Sequence, residues 1–219
     1  MAHDMIDMIL SRIHGDDQAS AQRDPGGART ETLQGVRQRM ARDFTTLKEK
    51  AEKIRTDPSR SPIGVRQAVS ELSTKLDLSY LDAVKATTED DLQRYRMLLF
   101  TIPKSDRDPT LAFLHEQEVR LAYKDAAPYV RMEAFRKAIQ DGQHEIARAL
   151  VSGPLGSLIS AEYQQDVLQE HAQRSQPAVY ESFEQATNLK EHLDSLHTHA
   201  TQVLTALKDE SPAPAMAVR

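Results

Sequence analysis

A chain of 219 residues with 39 % hydrophobic residues is long enough for one large domain or two small ones. With 5 % aromatic residues and no Trp, its core has to rely on many aliphatic contacts, as helical packing provides. A formal net charge of −5 argues against a general binder of phosphate backbones, and the absence of Cys excludes disulfides, thiol nucleophiles and thiolate metal sites.

The N-terminal stretch predicts a short amphipathic helix over residues 1–13. Asp4 and Asp7 interrupt its apolar run and it has no basic n-region, so it does not match a secretory signal. No apolar run reaches the roughly 20 residues of a membrane-spanning helix, so we expect no membrane partner and a protein made in a cytoplasm. Residues 14–29, rich in Gly, Asp and Ser, predict a flexible linker.

A helical body is predicted over residues 30–209, and it begins with a long amphipathic helix over residues 30–56. Thr30 is the predicted N-cap of this helix. The apolar residues recur at spacings of three and four, which places them on one side of the helix. They are Leu33, Val36, Met40, Phe44, Leu47, Ala51 and Ile54.

Capping residues, prolines and a glycine divide residues 62–152 into shorter helices. Ser, Thr and Asp cap helix N-termini, Pro favours the first helical position, and Gly favours the position just past the end. The predicted starts are Ser61 with Pro62, Thr88 with Asp91, Asp108 with Pro109, and Pro128, and Gly142 is a predicted stop. The apolar residues of the helix that follows Pro109 are Leu111, Leu114, Leu121 and Ala122.

Long C-terminal helices are predicted over residues 161–209. The GPLG sequence at 153–156 indicates a turn, and Ser160 caps the helix that follows it. Pro177 either kinks or splits this helix, because a proline inside a helix loses a hydrogen bond and clashes with the preceding turn. Residues 210–219 predict a disordered tail.

The last helix carries the clearest pattern in the chain, an apolar seam that alternates spacings of three and four over three heptads, as in a coiled coil. A long narrow stripe of this kind has to be buried against something. Two alternatives follow: an intramolecular helical hairpin with residues 30–56, or an interface for self-association or for a partner. The seam residues are Ala186, Leu189, Leu193, Leu196, Ala200, Val203 and Leu207.

No segment shows the period-two alternation of a β-strand, and Val and Ile fall on helical faces instead. The predicted fold is therefore all-α: an elongated multi-helix bundle with long, coiled-coil-like amphipathic helices and no β-sheet.

The His-Glu pair at residues 144 and 145 raises the question of a zinc-protease helix. Such a helix needs a second His four residues after the first, and that position holds Arg148, which cannot ligate a metal. His192 and His199 lie one heptad apart, roughly 10 Å along a helix at ~1.5 Å per residue, too far to share an ion. No phosphate-binding loop pattern occurs either. We predict no catalytic, cofactor-binding or metal-binding residues and no cofactor.

Two segments carry weak nucleic-acid features. The basic sequence VRQRMAR at residues 36–42 is followed on the same helix by acidic residues, which is typical of a salt-bridged face. Residues 72–86 have a spacing similar to that of a helix-turn-helix motif. The helix that would lie in the major groove carries Asp82 and a single basic residue, Lys85, and it lacks the Arg, Asn or Gln side chains that usually contact base edges. Nucleic acid is therefore not the expected partner.

The C-terminal third of the chain predicts a short helix, a Gly turn, a second helix, a Pro-Leu-Gly turn and a long final helix. Its two segments are FRKAIQDGQHEIARALVSGPLGSLISAEY and, later, QPAVYESFEQATNLKEHLDSLHTHATQVLTAL. Residues 135–210 thereby resemble small helical virion-associated or structural proteins of tailed phages and prophages. The match covers about a third of the chain and rests on Phe135, Ala138, Ile139, Gly142, Leu150, Pro154, Leu155 and Pro177.

The resemblance implies a non-enzymatic structural or assembly protein of a bacteriophage virion, made in the host cytoplasm. The expected partners are other virion proteins, further copies of the same chain, or both. The alternative is an intracellular helical adaptor or regulator that binds a host protein or nucleic acid, with residues 1–60 as the engaging arm.

Overall fold

The computed structural model describes Ser11, residues 28–152 and residues 156–209. Within these ranges every regular element is an α-helix and no residue lies in a strand, so the all-α prediction is confirmed for the described residues. Apart from Ser11, which is helical, the predicted N-terminal helix lies outside them, as do residues 14–27 of the predicted linker and the predicted tail. Residues 28–209 form α1 (Ala28–Arg55), α2 (Pro62–Ser73), α3 (Ser79–Phe100), α4 (Pro109–Tyr123), α5 (Pro128–Gln140), α6 (His144–Val151), α7 (Ala161–Ser175) and α8 (Pro177–Asp209).

Three predicted N-caps are confirmed by their hydrogen bonds. The Ser61 hydroxyl accepts from the Gly64 amide at 3.1 Å, and the Ser160 hydroxyl accepts from the Tyr163 amide at 3.4 Å. The Asp108 carboxylate accepts from the amides of Thr110 and Leu111 at 2.9 and 3.3 Å. Each cap satisfies amides that have no partner inside their own helix.

Gly142 and Pro177 also act as predicted. Gly142 has φ +69°, a left-handed conformation that costs Gly little, and the Gln143 amide donates back to the Ala138 carbonyl at 2.7 Å in the pattern that closes helix C-termini. Pro177 splits the C-terminal helices: α7 ends at Ser175 and α8 begins at the proline. Residues 153–155 of the predicted GPLG turn lie outside the described residues.

Two predicted helix starts are wrong. α1 already begins at Ala28, so Thr30 lies within the helix and residues 28 and 29 belong to α1 and not to the linker. Thr88 lies in the middle of α3, where its hydroxyl donates to the Val84 carbonyl at 2.8 Å. Thr satisfies its hydroxyl inside a helix in this way, so its spacing from an acidic residue did not mark a start.

The chain divides into two compact units. Unit 1 comprises Met1–Asp90 and Gln185–Arg219, and unit 2 comprises Asp91–Glu184. Both boundaries fall inside long helices, so α3 and α8 each supply residues to both units.

The core of unit 1 is one continuous apolar cluster. It joins the predicted stripe of α1 to the seam of α8, with Val69 and Leu72 from α2 and Leu81 from α3. Met40, Phe44 and Ala51 have no exposed surface. Because α1 and α8 repeat their apolar residues at the same spacings, side chains of both helices fill this core along its length.

Unit 2 is built around two smaller clusters. The first contains Phe135, Ala138 and Ile139 of α5 together with Ala147 and Leu150 of α6, and Ile159 and Val167 complete it. The second joins Leu99, Ala172 and Tyr180, with Phe100 and Phe183 in edge-to-face contact at a centroid distance of 5.3 Å. α4 contributes no residue to the buried members of either cluster.

Candidate interaction surface

The seam predicted as an interaction site lies in the interior of unit 1. All seven residues are buried, and Leu193, Ala200 and Val203 have no exposed surface. Six of the seven, all but Ala186, belong to the cluster that contains the α1 stripe. In this structure the seam packs within the chain against the stripe of α1, as expected for an intramolecular helical hairpin, and it is not exposed as an interface for another molecule.

Ion pairs between α3 and α8 flank the seam. Lys85 Nζ lies 2.8 Å from Asp194 Oδ1, Lys190 Nζ lies 3.0 Å from Asp194 Oδ2, and Lys190 also lies 3.7 Å from Glu89. The hydrogen bond from Lys85 lowers the pKa of the Asp194 carboxyl below its ordinary value of 3.8, and the hydrogen bond from Lys190 has a smaller effect in the same direction. These contacts hold α3 beside α8 at the rim of the unit 1 core.

The histidines of α8 have different contacts and do not come together. His197 Nε2 is 3.5 Å from Asp82 Oδ1, and His199 Nδ1 is 3.4 Å from the Ser195 hydroxyl. His192 is half-buried beside the seam. Among the described residues, no three His, Asp or Glu side chains come together as metal ligands would.

The His-Glu pair of α6 serves a polar contact network in unit 2. Glu145 accepts a short hydrogen bond from the Ser105 hydroxyl, and its carboxylate lies 3.2 Å from Arg107 Nε and 3.6 Å from His115 Nε2. An acidic residue in the first turn is also favoured by the helix dipole. Glu145 therefore ties the α3–α4 loop and α4 to the N-terminal end of α6.

Arg120 anchors the inner side of α4. Its guanidinium Nη1 donates to the Ala149 carbonyl at 2.7 Å and to the Ser152 carbonyl, and Nη2 donates to the Gly156 carbonyl at 2.7 Å. The residue is only 7 % exposed. A cation at the C-terminal end of a helix is favoured by the dipole and satisfies carbonyls that have no partner within the helix, so Arg120 caps α6 from a neighbouring helix.

A second charged residue shares this inner side of α4. Glu116 Oε1 lies 3.2 Å from Arg148 Nη2, with only 15 % of the Glu116 side chain exposed. Glu116 and Arg120 are four residues apart, one turn along the same side of the helix. α4 therefore meets the rest of unit 2 with these two charged side chains and with Tyr123, which packs against the first apolar cluster.

The apolar side of α4 faces outward. Leu111, Leu114 and Leu121 are 61, 53 and 64 % exposed, and at 100° per residue they fall within an arc of about 80°. An apolar stripe ordinarily marks the buried side of a helix. In α4 the arrangement is reversed, because the contacts of Arg120 and Glu116 fix the rotation of the helix about its axis.

Exposed apolar side chains are concentrated in unit 2. Among the described residues, nine large hydrophobic side chains are exposed, and eight of them belong to unit 2. Ile63 of α2 is the exception. The eight are Met97, Leu98, Leu111, Phe113, Leu114, Leu121, Tyr129 and Val130. Contiguous exposed apolar surface marks a site of association with another molecule, so we take the leucine face of α4 as the candidate site.

Sequence reasoning did not single out this face. The Leu111, Leu114 and Leu121 pattern was visible, but a spacing pattern gives the apolar side of a helix and not whether that side is buried. The available signal was Glu116 and Arg120 at a spacing of four on the opposite side of the same helix. Two opposite charges one turn apart are also common on exposed helix faces, so this signal alone does not indicate a buried polar contact.

Comparisons with known proteins add no relatives: no family model, no curated protein and no solved structure matches this chain. No helix in the described ranges combines the length and the apolar character that crossing a membrane requires.

Proposed function

We propose that this chain is a non-enzymatic helical assembly protein that works through protein–protein contacts, and that it is a structural component of a tailed-phage particle. The observation that carries the assembly part is the reversed polarity of α4. The leucine face is exposed while the inner side is held by Arg120 and Glu116. A leucine face held outward by buried polar contacts is what an association surface requires.

The fixed rotation of α4 supports this proposal further. Turning the helix to bury its leucines would separate the Arg120 guanidinium from the three carbonyls that it caps. It would also carry Glu118, whose side chain is 80 % exposed, into the apolar interior. Both changes are costly, because buried polar groups without partners destabilise a fold. The contacts that hold α4 against α6 and the loop after it therefore favour the exposed position of the leucine face.

The virion part of the proposal rests on the resemblance of residues 135–210 to small helical proteins of tailed phages. We also propose that the chain is an elongated bundle with coiled-coil-like helices. The long α1 and α8, of 28 and 33 residues, support this.

Mass spectrometry of purified particles tests the function directly. Particles from a strain that encodes the chain are banded on a density gradient, with wild type, Leu114→Gln/Leu121→Gln or Ile63→Gln as the only source of the protein. Ile63 is a matched control because it is 57 % exposed but belongs to unit 1. We expect wild type and the Ile63→Gln variant in the particle band and depletion of the α4 variant. Absence of the wild-type chain from the particles would contradict the virion proposal.

An adaptor or regulator that engages nucleic acid is the second candidate, and one observation favours it. α1 holds eight Lys and Arg against four Asp and Glu, a local net charge of +4 in a chain of net charge −5. A phosphate-binding α1 would shift duplex DNA at low salt and lose this binding steeply as salt rises. No shift at low ionic strength would remove this candidate.

A further inference from the structure

We propose that the leucine face of α4 binds the same face of a second copy of this chain, with the two α4 helices antiparallel about a two-fold axis at the level of Glu116. This inference rests on the proposed assembly function and names the partner. A two-fold interface has to be self-complementary, because each patch meets its own copy. The sequence of α4 meets that requirement in its apolar residues and in its charges.

The apolar residues of the face pair with one another in this register. Leu111 lies five residues before Glu116 and Leu121 lies five residues after it. An antiparallel copy therefore brings Leu111 of each chain opposite Leu121 of the other. Thr110 and Ala122, six residues from the axis on either side, also meet, and both are small enough for the helices to approach closely.

The charges at the two ends of the face are complementary in the same register. Arg107 and Asp125 lie in the loops that flank α4, nine residues before and after Glu116, so an antiparallel copy brings the Arg107 end of one helix to the Asp125 end of the other. Lys124, eight residues after Glu116, comes to the same end as Asp108 of the other copy, whose carboxylate also caps its own helix. The side chains of Arg107, Lys124 and Asp125 are 59, 57 and 88 % exposed, and within the chain Arg107 contacts Glu145 at 3.2 Å while Lys124 contacts Asp125 at 3.8 Å. A parallel arrangement would instead place like charges together at both ends.

Glu118 sets the strength of the pairing. It is the one charged residue between Leu114 and Leu121 on the exposed side, and in this register it lies opposite Leu114 of the other copy. A carboxylate at an apolar contact weakens association because it loses hydration, and the one contact recorded for Glu118, with His115 at 3.8 Å, lies within the chain. We therefore expect a reversible dimer.

Sedimentation equilibrium of the full chain over a range of concentrations tests the pairing. We expect a monomer–dimer equilibrium for wild type and for the Ile63→Gln control. The Leu114→Gln/Leu121→Gln variant should weaken the dimer by roughly 100-fold or more, since each dimer loses four leucine contacts. Glu118→Leu should tighten it. Circular dichroism of each variant verifies that the helices are intact.

Charge exchange and cross-linking test the antiparallel register. Asp125→Arg should weaken the dimer, and adding Arg107→Asp should recover it, whereas Arg107→Asp alone weakens it; the intramolecular contact of Arg107 with Glu145 is lost equally in both variants that carry Arg107→Asp. Because the chain has no Cys, Leu111→Cys and Leu121→Cys introduce unique thiols. A short bis-maleimide should join the two variants when they are mixed. It should not join Leu111→Cys to itself, because those thiols would be ~15 Å apart along the axis.

A wild-type chain that stays monomeric at all concentrations would overturn the self-pairing. Self-cross-linking of Leu111→Cys would overturn the antiparallel register. Neither result would remove the chain from purified particles, so failure of the self-pairing is distinguishable from failure of the assembly function. A monomer whose α4 variant is still depleted from particles would assign the leucine face to a different virion protein.

Discussion

The two units of this chain place similar apolar helix stripes in opposite environments. In unit 1 the stripes of α1 and α8 are both interior, and seam residues such as Leu193 have no exposed surface. In unit 2 the leucine stripe of α4 lies outside, and the inner side of that helix carries the charged residues Glu116 and Arg120 beside Tyr123. Spacing identifies the apolar side of a helix, but whether that side faces the interior depends on the contacts that the opposite side makes.

Arg120 shows how a helix can pack through its polar side. Burying a guanidinium is costly, but three backbone carbonyls receive its N–H groups, and two of these carbonyls lie at the end of α6. In unit 1 the core between α1 and α8 is mainly apolar, but α1 also buries the side chain of Arg37, which is 1 % exposed.

Replacing a buried Phe and an exposed Phe by Ala should give the largest difference in the free energy of unfolding between the unit 1 core and the surface of α4. Phe44→Ala in unit 1 should lower the free energy of unfolding by about 3–5 kcal/mol, because the ring is fully buried. Phe113→Ala in α4, where the ring is 55 % exposed, should change it by no more than about 0.5 kcal/mol. Phe135→Ala is the buried control within unit 2 and should resemble Phe44→Ala. Urea unfolding measures all three, and equal losses for Phe44→Ala and Phe113→Ala would refute the assigned exposure of α4.

Removal of the Arg120 anchor should have the next largest effect. Arg120→Met leaves three carbonyls without their donor and should cost about 2–4 kcal/mol, by the penalty for unsatisfied buried polar groups. Arg120→Lys keeps the charge but cannot reproduce the fork of donors, so it should fall between wild type and Arg120→Met. Hydrogen exchange should locate the loss at the C-terminal end of α6. A neutral effect of Arg120→Met would show that polar contacts do not fix the rotation of α4.

The N-caps allow a matched comparison of the two units. Ser61→Ala at α2 in unit 1 and Asp108→Ala at α4 in unit 2 should each cost about 0.5–2 kcal/mol, because each removes an acceptor for helix N-terminal amides. Thermal unfolding by circular dichroism measures both. The control is Thr88→Ser, a residue wrongly predicted as a cap, which retains the hydroxyl bonded to Val84 and should cost less than either. A larger loss for Thr88→Ser would contradict the assignment of the caps.

The smallest effect should come from the ion pairs beside the seam. Asp194→Asn should cost about 0.2–1 kcal/mol near neutral pH, since the carboxylate is partly exposed. Because the folded state lowers the pKa of Asp194, this contribution is full above the ordinary value of 3.8 and is lost as the pH falls through the lowered pKa. Urea unfolding of wild type and variant as a function of pH should therefore converge in acid. If the difference in the free energy of unfolding between wild type and Asp194→Asn grew as the pH fell, it would contradict a lowered pKa for Asp194.

Local chemistry accounts for the parts of the fold that the sequence predicts well. Ser61, Asp108 and Gly142 act within a few residues of their positions, so their roles are visible in a short window. The seam was recognisable because its spacing persists over three heptads. The inference failed at Thr88, where a hydroxyl has an equally local alternative inside the helix.

The orientation of α4 depended on distant partners. Arg120 is separated by 29 to 36 residues from the carbonyls that it caps, and Glu116 pairs with Arg148 of α6. No window of sequence contains both sides of these contacts, so spacing alone favoured the ordinary arrangement with leucines inside. The candidate surface could therefore be identified only from the packing of the helices in the structure, and not from the sequence.

Hydroxyl-radical footprinting of the dilute native protein tests the contrast between the seam and the leucine face most directly, because the oxidation of each leucine follows its exposure to solvent. We expect Leu111, Leu114 and Leu121 to be oxidised several times faster than Leu193 and Leu207 when the chain is monomeric, and to become protected as the concentration rises. Seam and α4 leucines that are equally protected in the monomer would contradict the account.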